Sequence, residues 1–169
     1  MYAAQNGAQN GAQTSVQSSV QSIERNKAAA RRWFDDILTR GRLDVADEIF
    51  AADHVIHDPH APAGGWPDGP AGPKMVATVF GGGFGDLQIS VEDMVAEGNT
   101  VALRWQAHAT HSGSLMGIPA TGKPVTVTGV NVTRFASDQS DQRGKIVESW
   151  YNFDMLTLLQ QIGAIPARA

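Results

Sequence analysis

Between Asp53 and Pro73 the chain reads DHVIHDPHAPAGGWPDGPAGP, which crowds His54, His57, Asp58, His60 and Trp66 into a stretch where Pro and Gly forbid most regular structure. Ionisable and aromatic side chains on a long loop suit the rim of a pocket. His57 or Asp58 is expected to face a ligand there, as an imidazole or a carboxylate able to move a proton near neutral pH, with Trp66 lining the wall. A metal site is not expected. The spacing of His54, His57 and His60 belongs to one face of a helix, and a Pro-rich segment cannot supply that helix. Farther on, His111 stands at the end of an alternating segment from which it can reach the same rim. Ser112 and Ser114 lie beside it but lack the strand-turn-helix setting of a nucleophile elbow. Asp35 and Asp36 are helix neighbours pointing ~100° apart, so they share no site. Gly81 to Gly83 follow a helix rather than a strand and lack the lysine and hydroxyl pair of a phosphate loop.

These groups need a scaffold, and periodicity supplies one. A helix is predicted over 23–39, with Ala30, Trp33, Phe34, Ile37 and Leu38 on its apolar face and Gly41 as its stop. Trp33 on that face doubles as a pocket wall. A second, short helix is expected from Asp44 to Phe50 and a third from Lys74 to Phe80, ended by the glycine run. Leu87–Ala96 and Thr100–Thr110 then alternate as strands around Glu97-Gly98-Asn99, a hairpin signal. A Gly- and Pro-rich loop over 112–123 carries Met116, a further pocket-lining candidate. Strands Val125–Phe135 and Ile146–Phe153 follow, and Asp154 caps a last helix that Gly163 terminates.

Three helices, a run of antiparallel strands and a short C-terminal helix make an α+β domain, a cone-shaped curved antiparallel sheet enclosing a pocket. On the Thr100 strand, Val101, Leu103, Trp105, Ala107 and Ala109 share the apolar face, so Trp105 is expected inside the cavity. The opposite face, with Arg104, Gln106, Trp150 and Asn152, is expected to be a homodimer surface.

Composition narrows the function classes. With 169 residues, 42% of them hydrophobic, the chain can bury one good core. Residues 1–22, with tandem AQNG and SVQS repeats, are expected to form a disordered low-complexity tail, leaving 23–169 as the domain. A formal charge of −4 gives no basic footprint for nucleic acid or anionic membranes. The absence of cysteine excludes disulfides and thiolate chemistry. No apolar run approaches the ~20 residues of a membrane span, and no signal peptide is evident, so a cytoplasmic location is the default.

Three segments carry a resemblance: NKAAARRWFDDILTRGRLDVADEIFAADHVIHDP, THSGSLMGIPATGKPVTVTGVNVTRF and GKIVESWYNFDMLTLLQQIG. From about Asn26 to Gly163 the chain resembles the SnoaL-like polyketide cyclases of the nuclear-transport-factor-2-like superfamily. The resemblance implies a cone-shaped α+β barrel and ring closure by an intramolecular aldol step at a carbon acid, without metal or organic cofactor. It also implies a catalytic aspartate on the last strand and a histidine on the strand before it. Those positions hold Tyr151 and Asn131 here. Tyrosine, with a reference pKa of about 10, is a poor resting base but a good donor, and asparagine orients a carbonyl or a water. The pair suits stabilising an enolate or oxyanion rather than generating one. A base must then come from His57, Asp58, His111 or Asp154. The expected substrate is an apolar, carbonyl-bearing small molecule. The alternative is a non-catalytic binding module on the same fold.

Overall fold

The computed structural model describes the backbone of residues 3–166 and the side chains of residues 16–166; residues 1–2 and 167–169 lie outside the described set. In chain order the elements are α1 (Ala3–Arg32), a π-helical continuation (Trp33–Thr39), α2 (Val45–Ile49), β1 (Phe50–His57), α3 (Ala71–Gly83), β2 (Phe84–Glu97), β3 (Thr100–His111), β4 (Pro124–Phe135), β5 (Ile146–Phe153) and α4 (Met155–Ile162). The five strands form one curved, unclosed sheet in the order β1-β5-β4-β3-β2. Among the described residues no helix is long and apolar enough to cross a membrane.

The hairpin expected around Gly98 is present, with Glu97 opposite Thr100 and Gly98 at φ 56°. β3, β4 and β5 continue antiparallel, which sets Trp105 opposite Gly129 and Asn131 opposite Tyr151. The last helix is capped as read: Asp154 accepts from the Thr157 backbone N–H, and Gly163 ends it at φ 82°.

Two regions differ from expectation. Phe50–His57, read as a helix end running into a loop, is a strand that pairs parallel with β5, so the sheet is mixed at one edge. Its alternation is disguised because polarity runs against parity. His54 is fully buried, whereas Val55 is 39% exposed. The first helix also starts much earlier than Ile23. Val16, Val20 and Ile23, spaced by four and three, are the one helical signal in the repeats, and Val16 and Val20 remain exposed. The boundary drawn at residue 22 thus falls within one helix. The glycine run extends α3 instead of breaking it, and the carbonyl of Gly83 accepts from the backbone N–H groups of Ser112 and Gly113.

The core follows from these faces. Ala30, Trp33, Phe34 and Ile37 pack on Phe50, Val101, Leu103 and Ile146, while a second cluster joins Leu158 and Ile162 to Val125, Val127, Phe84 and Leu115. The π-helical widening turns Trp33, Phe34 and Leu38 toward the same side, and all three line the space left between the clusters.

His54 links β1 to β5 through an Nε2–Ser149 Oγ contact of 2.9 Å, with its ring against Phe50. Burial pushes its pKa from 6.5 down to about 4, so the folded protein holds the neutral imidazole. Between those values the unfolded chain binds the additional proton, and stability therefore falls as pH drops from 6.5 to about 4. His54→Gln should flatten that part of the Tm-against-pH curve, removing a slope worth at most about 3 kcal/mol. Thermal melts of both proteins at intervals across the window check this.

Candidate active site

A cavity opens between the sheet and the helices. Its wall is hydrocarbon and aromatic except for Asp58, Asn131 and Tyr151. The strand register explains why these meet. His57 is level with Trp150 in the parallel β1–β5 pair, and both side chains belong to the outer face, so the next residues, Asp58 and Tyr151, turn inward. On the other side of β5, Asn131 is the direct partner of Tyr151.

Each of the three is set by its neighbours. The Asp58 side chain is only 3% exposed. Its Oδ1 accepts from the His60 backbone N–H at 2.8 Å, and its Oδ2 accepts from the Trp66 indole N–H at 2.9 Å. Each oxygen keeps a further lone pair for a ligand. Tyr151 stacks on Trp33 with ring centroids 5.8 Å apart, and its buried hydroxyl has no hydrogen-bond partner of normal geometry. Burial, reinforced by the Asp58 charge, raises its pKa well above the usual tyrosine value, with the Ser149 hydroxyl acting in the opposite sense. Tyr151 therefore remains a protonated donor. Asn131 is 3% exposed, and its Oδ1 accepts from the Trp105 indole at 2.8 Å. An indole N–H only donates, so the amide must present its oxygen to Trp105 and turn its NH₂ group elsewhere in the cavity it lines.

The other expected site residues are placed apart from this cluster. His57 lies on the outer face, with Nε2 2.7 Å from Glu148 Oε1 and its ring stacked on Trp150. His111 is fully buried behind the cavity wall. Its Nδ1 lies 3.0 Å from Thr121 Oγ1, and its backbone N–H bonds the Lys123 carbonyl, so it fastens the 112–123 loop instead of reaching the rim. Asp154 is occupied as a helix cap, with Oδ1 and Oδ2 at 2.9 and 2.6 Å from Thr157 N and Oγ1; those bonds hold its pKa below the ordinary carboxylate value. Trp33 and Trp105 line the inner cavity, while Trp66 and Met116 line a second, outer one that shares Asp58, Phe80, Phe153 and Leu158 with it. Phe80 and Phe153 were missed because each reads as ordinary core at the end of its element. His60 was passed over for its neighbours, although its position two residues beyond an aspartate is a turn signal.

Residues 28–162 match the family model of the SnoaL-like polyketide cyclases. Among solved structures, a candidate SnoaL-like polyketide cyclase from Jannaschia sp. CCS1 superposes with a TM-score of 0.73 at 24% identity, over 85% of this chain and 95% of that one, a likeness of fold. IdmH from Streptomyces antibioticus, a candidate polyketide cyclase, is 32% identical with a TM-score of 0.68, over 82% of this chain and 98% of that one. AclR from Streptomyces galilaeus, a candidate hydroxylase, is 27% identical with a TM-score of 0.70, over 87% and 86% of the two chains. No protein of curated function matches.

The orientation of Asn131 depends on a glycine. A Cβ at Gly129 would stand 2.4 Å from the Trp105 ring and 2.7 Å from the Asn152 carbonyl. Gly129 thus makes room for the indole to lie across β4 and reach Asn131 on the diagonal. Gly129→Ala should displace the indole and lower stability by about 1–3 kcal/mol, as overpacking does. Denaturant titration followed by tryptophan fluorescence measures both effects.

Proposed function

The chain belongs to the SnoaL-like polyketide cyclase family, and from that premise we propose a cyclase- or isomerase-type enzyme, independent of metal and organic cofactor, that acts beside a carbonyl of a largely apolar small molecule. What supports this reading is the convergence of Asp58, Tyr151 and Asn131 as the polar groups of an otherwise apolar cavity.

The roles follow from chemistry. The Asp58 carboxylate takes the α-proton of the substrate, being the base candidate that lines the cavity. The carbonyl oxygen gains charge as the C–H bond breaks, and it accepts from the Tyr151 hydroxyl and the Asn131 amide. Neither donor holds a protein acceptor at normal hydrogen-bond geometry, so neither must break a full bond when the substrate arrives. The aromatic wall excludes water and strengthens these contacts. For ring closure, the enolate carbon bonds to a second carbonyl carbon of the same molecule, and the resulting alkoxide takes a proton. For isomerisation, the proton returns at another carbon. The outer sheet face, with Arg104, Gln106, Trp150 and Asn152 and the exposed Val130 opposite Asn152, is the surface proposed for self-association.

Asp58→Asn should lower turnover by about 10²–10⁴-fold, the usual contribution of a positioned base. Tyr151→Phe should lower kcat by about 10²-fold with KM nearly unchanged, because its bond forms mainly to the charged transition state. Polycyclic ketones and β-keto esters, followed by product formation and by α-proton exchange in D₂O, are the assays. Tight binding of these compounds with neither exchange nor turnover would instead make the chain a binding module.

A further inference from the structure

The proton that Asp58 takes can return to the product directly or exchange with solvent, and exchange from a cavity enclosed by hydrocarbon needs a group to carry it. This step rests on the Asp58 reading above, and it asks which group receives that proton. The Trp66 indole N–H on Oδ2 donates only, the Tyr151 hydroxyl already keeps its own proton, and an amide such as Asn131 has no useful basicity. His57 is on the far side of the sheet, and His54 and His111 do not line either cavity.

His60 has the required position. Its Nδ1 stands 3.5 Å from Asp58 Oδ1, buried and without a hydrogen-bond partner. Its backbone N–H already bonds the same oxygen at 2.8 Å, which fixes the two side chains on one turn. The ring lies against Phe153 with centroids 4.8 Å apart, and the side chain is 28% exposed. Asp58 and His60 are the titratable groups lining the outer cavity, which shares Asp58 with the inner one. One end of the imidazole thus faces the base, while the residue borders the open cavity.

We propose that His60 carries the proton between Asp58 and solvent. The Asp58 carboxylic acid formed by C–H cleavage gives its proton to neutral Nδ1. The resulting imidazolium releases the Nε2 proton to water in the outer cavity; after tautomer exchange the steps run in reverse, and a solvent proton passed through His60 and Asp58 reaches the enolate carbon or the alkoxide, so no net proton is lost. The 3.5 Å separation closes to a hydrogen bond once Asp58 carries the proton, as catalytic contacts do on ligand binding.

The test uses the full chain with 2-tetralone, an apolar bicyclic ketone with acidic α-hydrogens, in D₂O with NMR detection of deuterium uptake. The wild-type protein should exchange the α-hydrogens, Asp58→Asn should abolish the exchange, and His60→Gln should slow it by at least about tenfold. Added imidazole should restore most of the rate in His60→Gln and none in Asp58→Asn, a rescue that a structural role would not give. His60→Asn, which retains a donor beside Asp58 but cannot carry a proton, should behave as His60→Gln does. Exchange at the wild-type rate in both His60 variants overturns the relay and leaves the Asp58 reading standing. A slow His60 variant that imidazole does not rescue also overturns the relay. Absence of exchange in the wild-type protein overturns the Asp58 reading and the relay with it.

Discussion

Holding a carboxylate in a hydrocarbon cavity is the constraint on which the rest of this site depends. An ion taken from water without partners costs several kcal/mol, more than most single contacts return. Asp58 meets that demand locally, through the His60 backbone N–H and the Trp66 indole. For the indole to come back over Asp58, the chain must reverse between them, and Gly64 and Gly65 do so at φ 95° and 79°, with the Gly65 N–H bonded to the Pro62 carbonyl. The Pro- and Gly-rich composition of this loop is therefore the means by which the carboxylate is solvated by protein.

The same demand reaches into the sheet. β1 must run parallel to β5 for Asp58 to arrive beside Tyr151, and the buried His54–Ser149 contact ties the two strands one turn of the pleat earlier. Gly69 closes the loop onto β1 through its N–H to the His54 carbonyl, at φ 70° and so close to Ala52 that a Cβ would meet the carbonyl oxygen at 2.5 Å. On the outer face the alternate residues, His57, Glu148 and Trp150, form their own cluster with Arg134, whose Nη2 lies 2.5 Å from Glu148 Oε2. A one-residue slip of β1 would exchange these two sets.

Where polarity and parity agree, the sequence is legible. The Thr100 strand alternates apolar and polar residues, and Val101, Leu103 and Ala107 are buried as that pattern requires. The Gly98 hairpin, the Asp154 cap and the Gly163 stop rest on local backbone chemistry and are equally readable. β1 is not, because a buried histidine and an exposed valine reverse its pattern, and because parallel pairing with a strand almost a hundred residues later leaves no local trace. The π-helical turn at Trp33 is also silent, since its apolar residues fit an ordinary helix face as well. Of the candidate site, the Asn131–Tyr151 floor was legible from the family resemblance. Which of His57, Asp58, His111 and Asp154 lines the cavity was not, because it depends on which way each side chain points.

That choice bears on how the chemistry is divided among the strands. The resemblance implies an acid–base pair on the last two strands, side by side. Here those positions hold Asn131 and Tyr151, directly opposed and both able to donate; on the proposed reading they stabilise charge on β4 and β5, and the base lies elsewhere. β5 has two neighbours, however, and the one on its other side is β1. A residue at the end of β1 approaches Tyr151 from the flank opposite Asn131, so a base there and a donor pair on the sheet can address one carbonyl and its α-carbon from two sides. On the proposed reading the function has moved one strand across the sheet while the cavity has stayed in place. The Trp105–Asn131 bond supports the division: an indole fixes the amide with its NH₂ group free to donate, whereas a base at that position would need a neighbour that accepts its proton.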